Sequence, residues 1–190
     1  MSGTINFPQV GPIGSFYIGG RFHGDWQEPS YLGNMFFATT ATAGTVVPIQ
    51  ASNLAATFVL ANPAGNTKNV ELVFYVLGLL NATTVVSDVS LYYQTSYTAL
   101  TSTTAITAHS TYLGGSATPT ALTYSAATFT GALTKGPTLV SFGATTDASP
   151  PILEVPLSGR IVIAPGTAVA LAGNAAQTQA MQHTFYWIEF

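Results

Sequence analysis

The chain has 190 residues, of which only 6% are Asp, Glu, Lys or Arg, against about 25% in an average globular protein. Four basic residues and a net charge of −3 exclude the electrostatic footprint of a nucleic-acid binder, and the absence of cysteine excludes disulfides, thiolate metal sites and cysteine catalysis. With 47% hydrophobic and 12% aromatic residues the low charge does not signal disorder; it signals a surface of Ser, Thr, Ala, Gln and Gly that does little to repel neighbours.

This length predicts one domain, with room for an extended arm, and burial of roughly 70% of the unfolded surface. The opening "MSGTINFPQV" lacks the basic and apolar regions of a secretory signal. The longest apolar runs, 70–80 and 161–173, are interrupted by Glu71 and Pro165 and are shorter than a bilayer span requires. The expectation is a protein made in the cytoplasm, without a membrane partner.

In chain order, residues 1–40 come first. Gly or Pro recurs every few residues, with aromatics between them and no steady period. This predicts an extended N-terminal arm over 1–40 and a folded domain over 41–190. Phe7, Phe16, Tyr17, Arg21, Phe22 and Trp26 are side chains suited to anchoring that arm on a partner, since aromatics and Arg dominate interface hot spots.

Beyond the arm, short runs rich in Val, Ile, Thr, Tyr and Phe alternate with Gly, Pro, Asn and Ser, and no window keeps an amphipathic helical period. Strands are predicted at 45–50, 57–62, 69–80, 85–95, 121–129, 137–143, 151–157, 160–165, 168–174 and 180–190. Such spacing belongs to an all-β sandwich or barrel. "NPAGNTKN" (62–69) and "APGT" (164–167) supply turn chemistry. The 85–95 run alternates and predicts a half-exposed strand. The 69–80 and 180–190 runs are apolar on both faces and predict burial on both. Residues 96–136, nearly all Thr, Ser, Ala, Gly, Tyr and Leu, predict a long insertion or an exposed lobe.

Candidate chemistry is sparse. His23, Asp25 and Glu28 in "RFHGDWQE" suggest a divalent-ion pair, but a polar turn accounts for them more simply, because metal sites need further convergent ligands and a supporting shell. His109 and Ser110, with Asp88 or Asp147, lack the strand–turn–helix context of a hydrolase nucleophile. His183 shares a strand face with Phe185 and Trp187, which predicts a satisfied core or interface histidine. Glu71, Asp88, Asp147, Glu154 and Glu189 are scattered and suggest no glycosidase pair. The expectation is therefore no catalytic residue, no metal, no cofactor and no enzyme activity.

Three stretches carry a resemblance: "FFATTATAGTVVPI" (36–49), "TFVLANPAGNTKNVELVFYVLG" (57–78) and "LSGRIVIAPGTAVALAGNAAQTQAMQHTFYWIEF" (157–190). Together they resemble a group of tailed-bacteriophage virion structural proteins. Those proteins share an "AxATAGxxVPI" start, an "xNPxGSGKNL" turn and a close ending in Trp-Glu-Glu. Asn66 and Thr67 depart from the usual Ser-Gly, and Trp187-Ile188-Glu189 from Trp-Glu-Glu. The resemblance does not cover the Thr/Ser-rich middle, and its motifs are turns and strands, so it speaks to fold and virion origin. It implies a jelly-roll-like antiparallel β-sandwich with an extended N-terminal arm, placed on a phage capsid and commonly trimeric. The first expectation is thus a capsid decoration (cement) protein that trimerises and clamps neighbouring major capsid subunits. On the closing strand, Tyr186, Ile188 and Phe190 would then face a sister subunit. A fibre or spike head for host-surface recognition is the alternative; a glycan-degrading virion hydrolase is disfavoured by the scattered carboxylates.

Overall fold

The computed structural model describes residues 27–41, 44, 55–80, 87–97, 100–142, 152–157, 160–175 and 180–190. The predicted strand at 45–50, all six arm anchors and the His23–Asp25 pair lie outside the described residues. A five-residue helix, α1 (Gln27–Tyr31), precedes β1 (Met35–Thr39), β2 (Ala55–Ala56), β3 (Phe58–Asn62), β4 (Val70–Leu79) and β5 (Ser87–Thr95). There follow β6 (Leu100–Ala105), β7 (His109–Ser110), β8 (Leu122–Phe129) and β9 (Thr134–Phe142). The chain closes with β10 (Ile152–Pro156), β11 (Val162–Ile163), β12 (Thr167–Ala172) and β13 (Met181–Glu189). Among the described residues, no helix is long and apolar enough to cross a membrane.

The strands form two antiparallel sheets packed into an all-β sandwich. The first runs β10-β4-β13-β1-β7, with β11 also on β4. The second runs β2-β8-β3-β12-β5-β9, with β6 on the other side of β8. Phe58 of the second sheet meets Phe185 of the first edge to face at 5.1 Å, and Tyr75 and Trp187 lie in the same buried cluster. Each such side chain removes enough apolar area from water to contribute about 1.5–3 kcal/mol.

The alternation of β4 is broken by a bulge. Tyr186 of β13 pairs with Phe74 and Trp187 pairs with Leu72, leaving Val73 as an extra residue. A one-residue shift of this kind exchanges the faces of a strand. Leu72 and Tyr75 therefore both reach the core, although they are three residues apart, while Val73 packs outside with Met35 and Ile188.

Four expectations change. Residues 35–39, assigned to the arm, form β1 between β13 and β7 and pair with β13 along their whole length; the sandwich begins by Met35. The 96–136 stretch supplies β6 and β8 to one sheet and β7 to the other, so it is woven into the domain. Tyr97, Leu100, Tyr124 and Leu133 from it pack against Val59, Ala61, Ala168 and Ala170, on the side of the second sheet away from the main core. Finally, β5 is not half exposed: Asp88, Ser90 and Tyr92 are buried, as Val89 and Leu91 on the other face are. Conversely, β4 and β13 are fully covered on one face, and their other face is half-buried at Phe74, Val76, Thr184 and Tyr186.

Candidate interaction surface

Buried polar side chains are where chemistry would reside. Glu189 is 1% exposed. Its carboxylate accepts from the Thr120 amide (2.9 and 3.0 Å), the Thr120 hydroxyl (2.6 Å), the Ala121 amide (2.9 Å) and the Trp187 indole (3.3 Å). Asn66 of the 62–69 turn donates to Thr120 Oγ1 and to Asn62 Oδ1, both at 2.7 Å. Asn62 in turn donates to the carbonyls of Lys68 and Ile163. These bonds tie the crossover into β8, the 62–69 turn and the last strand into one node. The carboxylate's oxygens are occupied by the chain itself, which leaves it no free lone pair for a substrate.

Asp88 is a second satisfied carboxylate. It accepts from Ser90 Oγ (2.7 Å) and the Asn174 amide (2.7 Å) and pairs with Lys135 (3.4 Å). Burial alone would raise its pKa; the Ser90 hydroxyl, the Asn174 amide and the Lys135 ammonium outweigh that and hold it below the usual value. Its stabilising contribution is present above the ordinary aspartate range and is lost as pH falls through the lowered value.

His183 is fully buried and its Nδ1 lies 2.8 Å from the Tyr75 hydroxyl. Burial pushes Tyr75 well above its ordinary value and His183 down to about 3, so a neutral phenol and a neutral imidazole share this hydrogen bond. The unfolded chain has an ordinary histidine near 6.5. Between that value and about 3 the unfolded state takes up a proton that the folded state refuses, so stability falls as pH is lowered through this window. His183→Leu should flatten that slope in urea titrations at a series of pH values. An unchanged slope would mean the imidazole is not buried as described.

His109 is exposed and contacts the Phe37 ring at 5.6 Å. Among the described residues no three His, Asp or Glu side chains gather to hold a metal. Of the predicted subunit-interface residues, Ile188 is 6% exposed and covered within the chain by Met35 and Val73, so it needs no sister subunit to bury it. Tyr186 is half-buried, stacked on Phe37 at 5.6 Å with Phe74 at its edge. Phe190 is 42% exposed, its backbone bonded in both directions to Asn69.

An exposed apolar cluster gathers at the end of the first sheet, and it is built from a repeat. The tripeptide Tyr-Leu-Gly occurs at 31–33 and at 112–114. Both glycines have positive φ, 73° and 87°, which favours glycine. The first copy runs into β1 and the second leaves β7; because β1 and β7 pair antiparallel, the two turns meet at one end. The Tyr31 and Tyr112 rings lie 5.7 Å apart. Leu32 is 61% and Leu113 82% exposed. Exposed tyrosines in contact, each followed by an exposed leucine, are an apolar feature of the kind that marks interaction sites. The repeat was visible in the sequence; only the pairing of β1 with β7 shows that its copies converge. A Cβ on Gly33 would meet Ala117 Cβ at 2.9 Å, and positive φ adds about 1–2 kcal/mol for an L residue. Gly33→Ala should therefore destabilise by at least that amount in chemical denaturation, whereas Gly65→Ala, where nothing lies within 4 Å, should not.

No family model, no curated protein and no solved structure matches the chain.

Proposed function

We propose that this chain is a bacteriophage virion structural protein, a capsid decoration (cement) protein that trimerises and clamps neighbouring major capsid subunits. The observation that carries this reading is the paired Tyr-Leu-Gly surface, set on a sandwich with few charges, at the point where residues 1–26 join it. Phe7, Phe16, Tyr17, Arg21, Phe22 and Trp26 lie ahead of α1 in the chain, so an arm laid across a neighbour would leave the sandwich near Tyr31 and Leu32. Binding energy comes from the buried aromatics and from main-chain pairing of the arm as an added strand. The stretches resembling phage virion proteins point the same way.

Undecorated capsids mixed with the purified protein test this. Wild-type protein should bind and raise the temperature at which capsids open. A double variant, Leu32→Ser with Leu113→Ser, should keep its fold, because exposed substitutions usually stay within about 0.5 kcal/mol each, and should lose most binding. A variant without residues 1–26 should behave likewise. Full binding by both variants would put the clamp elsewhere.

A fibre or spike head for host-surface recognition is the second reading. It is favoured by β6, whose Thr101, Ser102, Thr103 and Thr104 are all exposed and offer uncharged hydroxyls to a glycan. Binding of the isolated protein to host cells, and none to capsids, would select it.

A further inference from the structure

A cleft of about 390 Å³ opens between the two sheets, where residues 160–164 at the edge of the first face β5, β12 and Pro137 of the second. That volume lies within the range of small-molecule sites, about 300–1,000 Å³. Its most buried side chains are Leu91, Ile163 and Val169; Tyr93 is half-buried beside them, and Val162 and Arg160 are exposed. Arg160 is the one cation among the lining residues, and none of them is a carboxylate. The ion pair found among the described residues, Lys135 with Asp88, does not involve it. An aliphatic cleft with a guanidinium at its rim and no carboxylate among its described lining residues complements a ligand with an apolar body and one negative end. Arginine is the side chain whose fork matches a carboxylate by two parallel hydrogen bonds.

We propose that this cleft binds a linear aliphatic carboxylate, its chain against Leu91, Ile163 and Val169 and its carboxylate on Arg160. This does not depend on a capsid, and it stands or falls apart from the decoration reading. The test is titration of the full chain with decanoate, below its micelle concentration, followed by methyl resonances of Leu91 and Val169. Saturable shifts are expected at both. Decanol, which lacks the charge, should bind about tenfold or more weakly. Arg160→Gln should weaken decanoate by a similar factor and abolish the preference over decanol. Val162→Asp, which places a carboxylate at the rim, should weaken decanoate further still. Both substitutions are exposed, and circular dichroism confirms that the fold is kept. Absence of saturable shifts, or equal binding of decanoate and decanol by wild type, overturns the proposal. So does decanoate binding that Arg160→Gln leaves unchanged.

Discussion

Trp187→Ala should lower the free energy of unfolding by about 3–5 kcal/mol, a large share of the 5–15 kcal/mol typical of a whole domain. Trp187 is fully buried in the middle of the first sheet. It packs against Phe36 at 6.0 Å and pairs with Leu72 at the bulge. Truncation empties the site next to the one place where the β4 register is irregular, so the walls have little freedom to close in without disturbing that pairing. It also removes the indole donor to Glu189. Urea unfolding followed by far-ultraviolet circular dichroism measures the effect without relying on the lost chromophore. Phe190→Ser is the control: one residue past the same strand and exposed, it should change stability by no more than about 0.5 kcal/mol. Equal losses in the two variants would mean that Trp187 is not a core residue.

Glu189→Ala comes second, at about 3–4 kcal/mol, because each buried donor left without an acceptor costs about 1–3 kcal/mol. The substitution strands the amides of Thr120 and Ala121, the Thr120 hydroxyl and the Trp187 indole. Entry of water into the vacated space keeps the total below the sum. Glu189→Gln should lose less, since one acceptor oxygen survives, but its amide N–H group faces donors and cannot replace the second. Hydrogen exchange gives an independent readout: the Thr120 and Ala121 amides should exchange much faster in the alanine variant. If Glu189→Ala unfolds like wild type and these amides stay protected, the carboxylate is not the anchor of the crossover into β8.

The strands were legible because β-branched and aromatic runs bounded by Gly, Pro and Asn have few alternatives to strand. β3, β4, β5, β8, β10, β12 and β13 all fall within or against their predicted runs. Register was not legible. In "VELVFY" the consecutive Leu72, Val73 and Phe74 satisfy either face, and only pairing with β13 decides that Val73 is the bulged residue. Alternation also misled at β5: Asp88 and Ser90 read as a solvent face, but they are buried because they bond to each other and because Asn174 closes over them from 86 residues away. β1 was hidden because its "MFFAT" resembles the aromatic arm before it, and its partner lies at the far end of the chain. The same long range conceals the Glu189 node, whose partners sit 69 and 68 residues upstream. At the candidate surface, the two Tyr-Leu-Gly copies are plain in the sequence, but their meeting depends on the β1–β7 pair.

If this sandwich decorates a capsid, as proposed, an electron-microscopy map of intact phage particles will locate it there. Density for the sandwich is expected on the outer capsid surface, in groups of three, with residues 1–26 traced across adjacent major capsid subunits and Tyr31, Leu32, Tyr112 and Leu113 at the contact. Density for the chain at a fibre or tail tip, with none on the capsid shell, would contradict it.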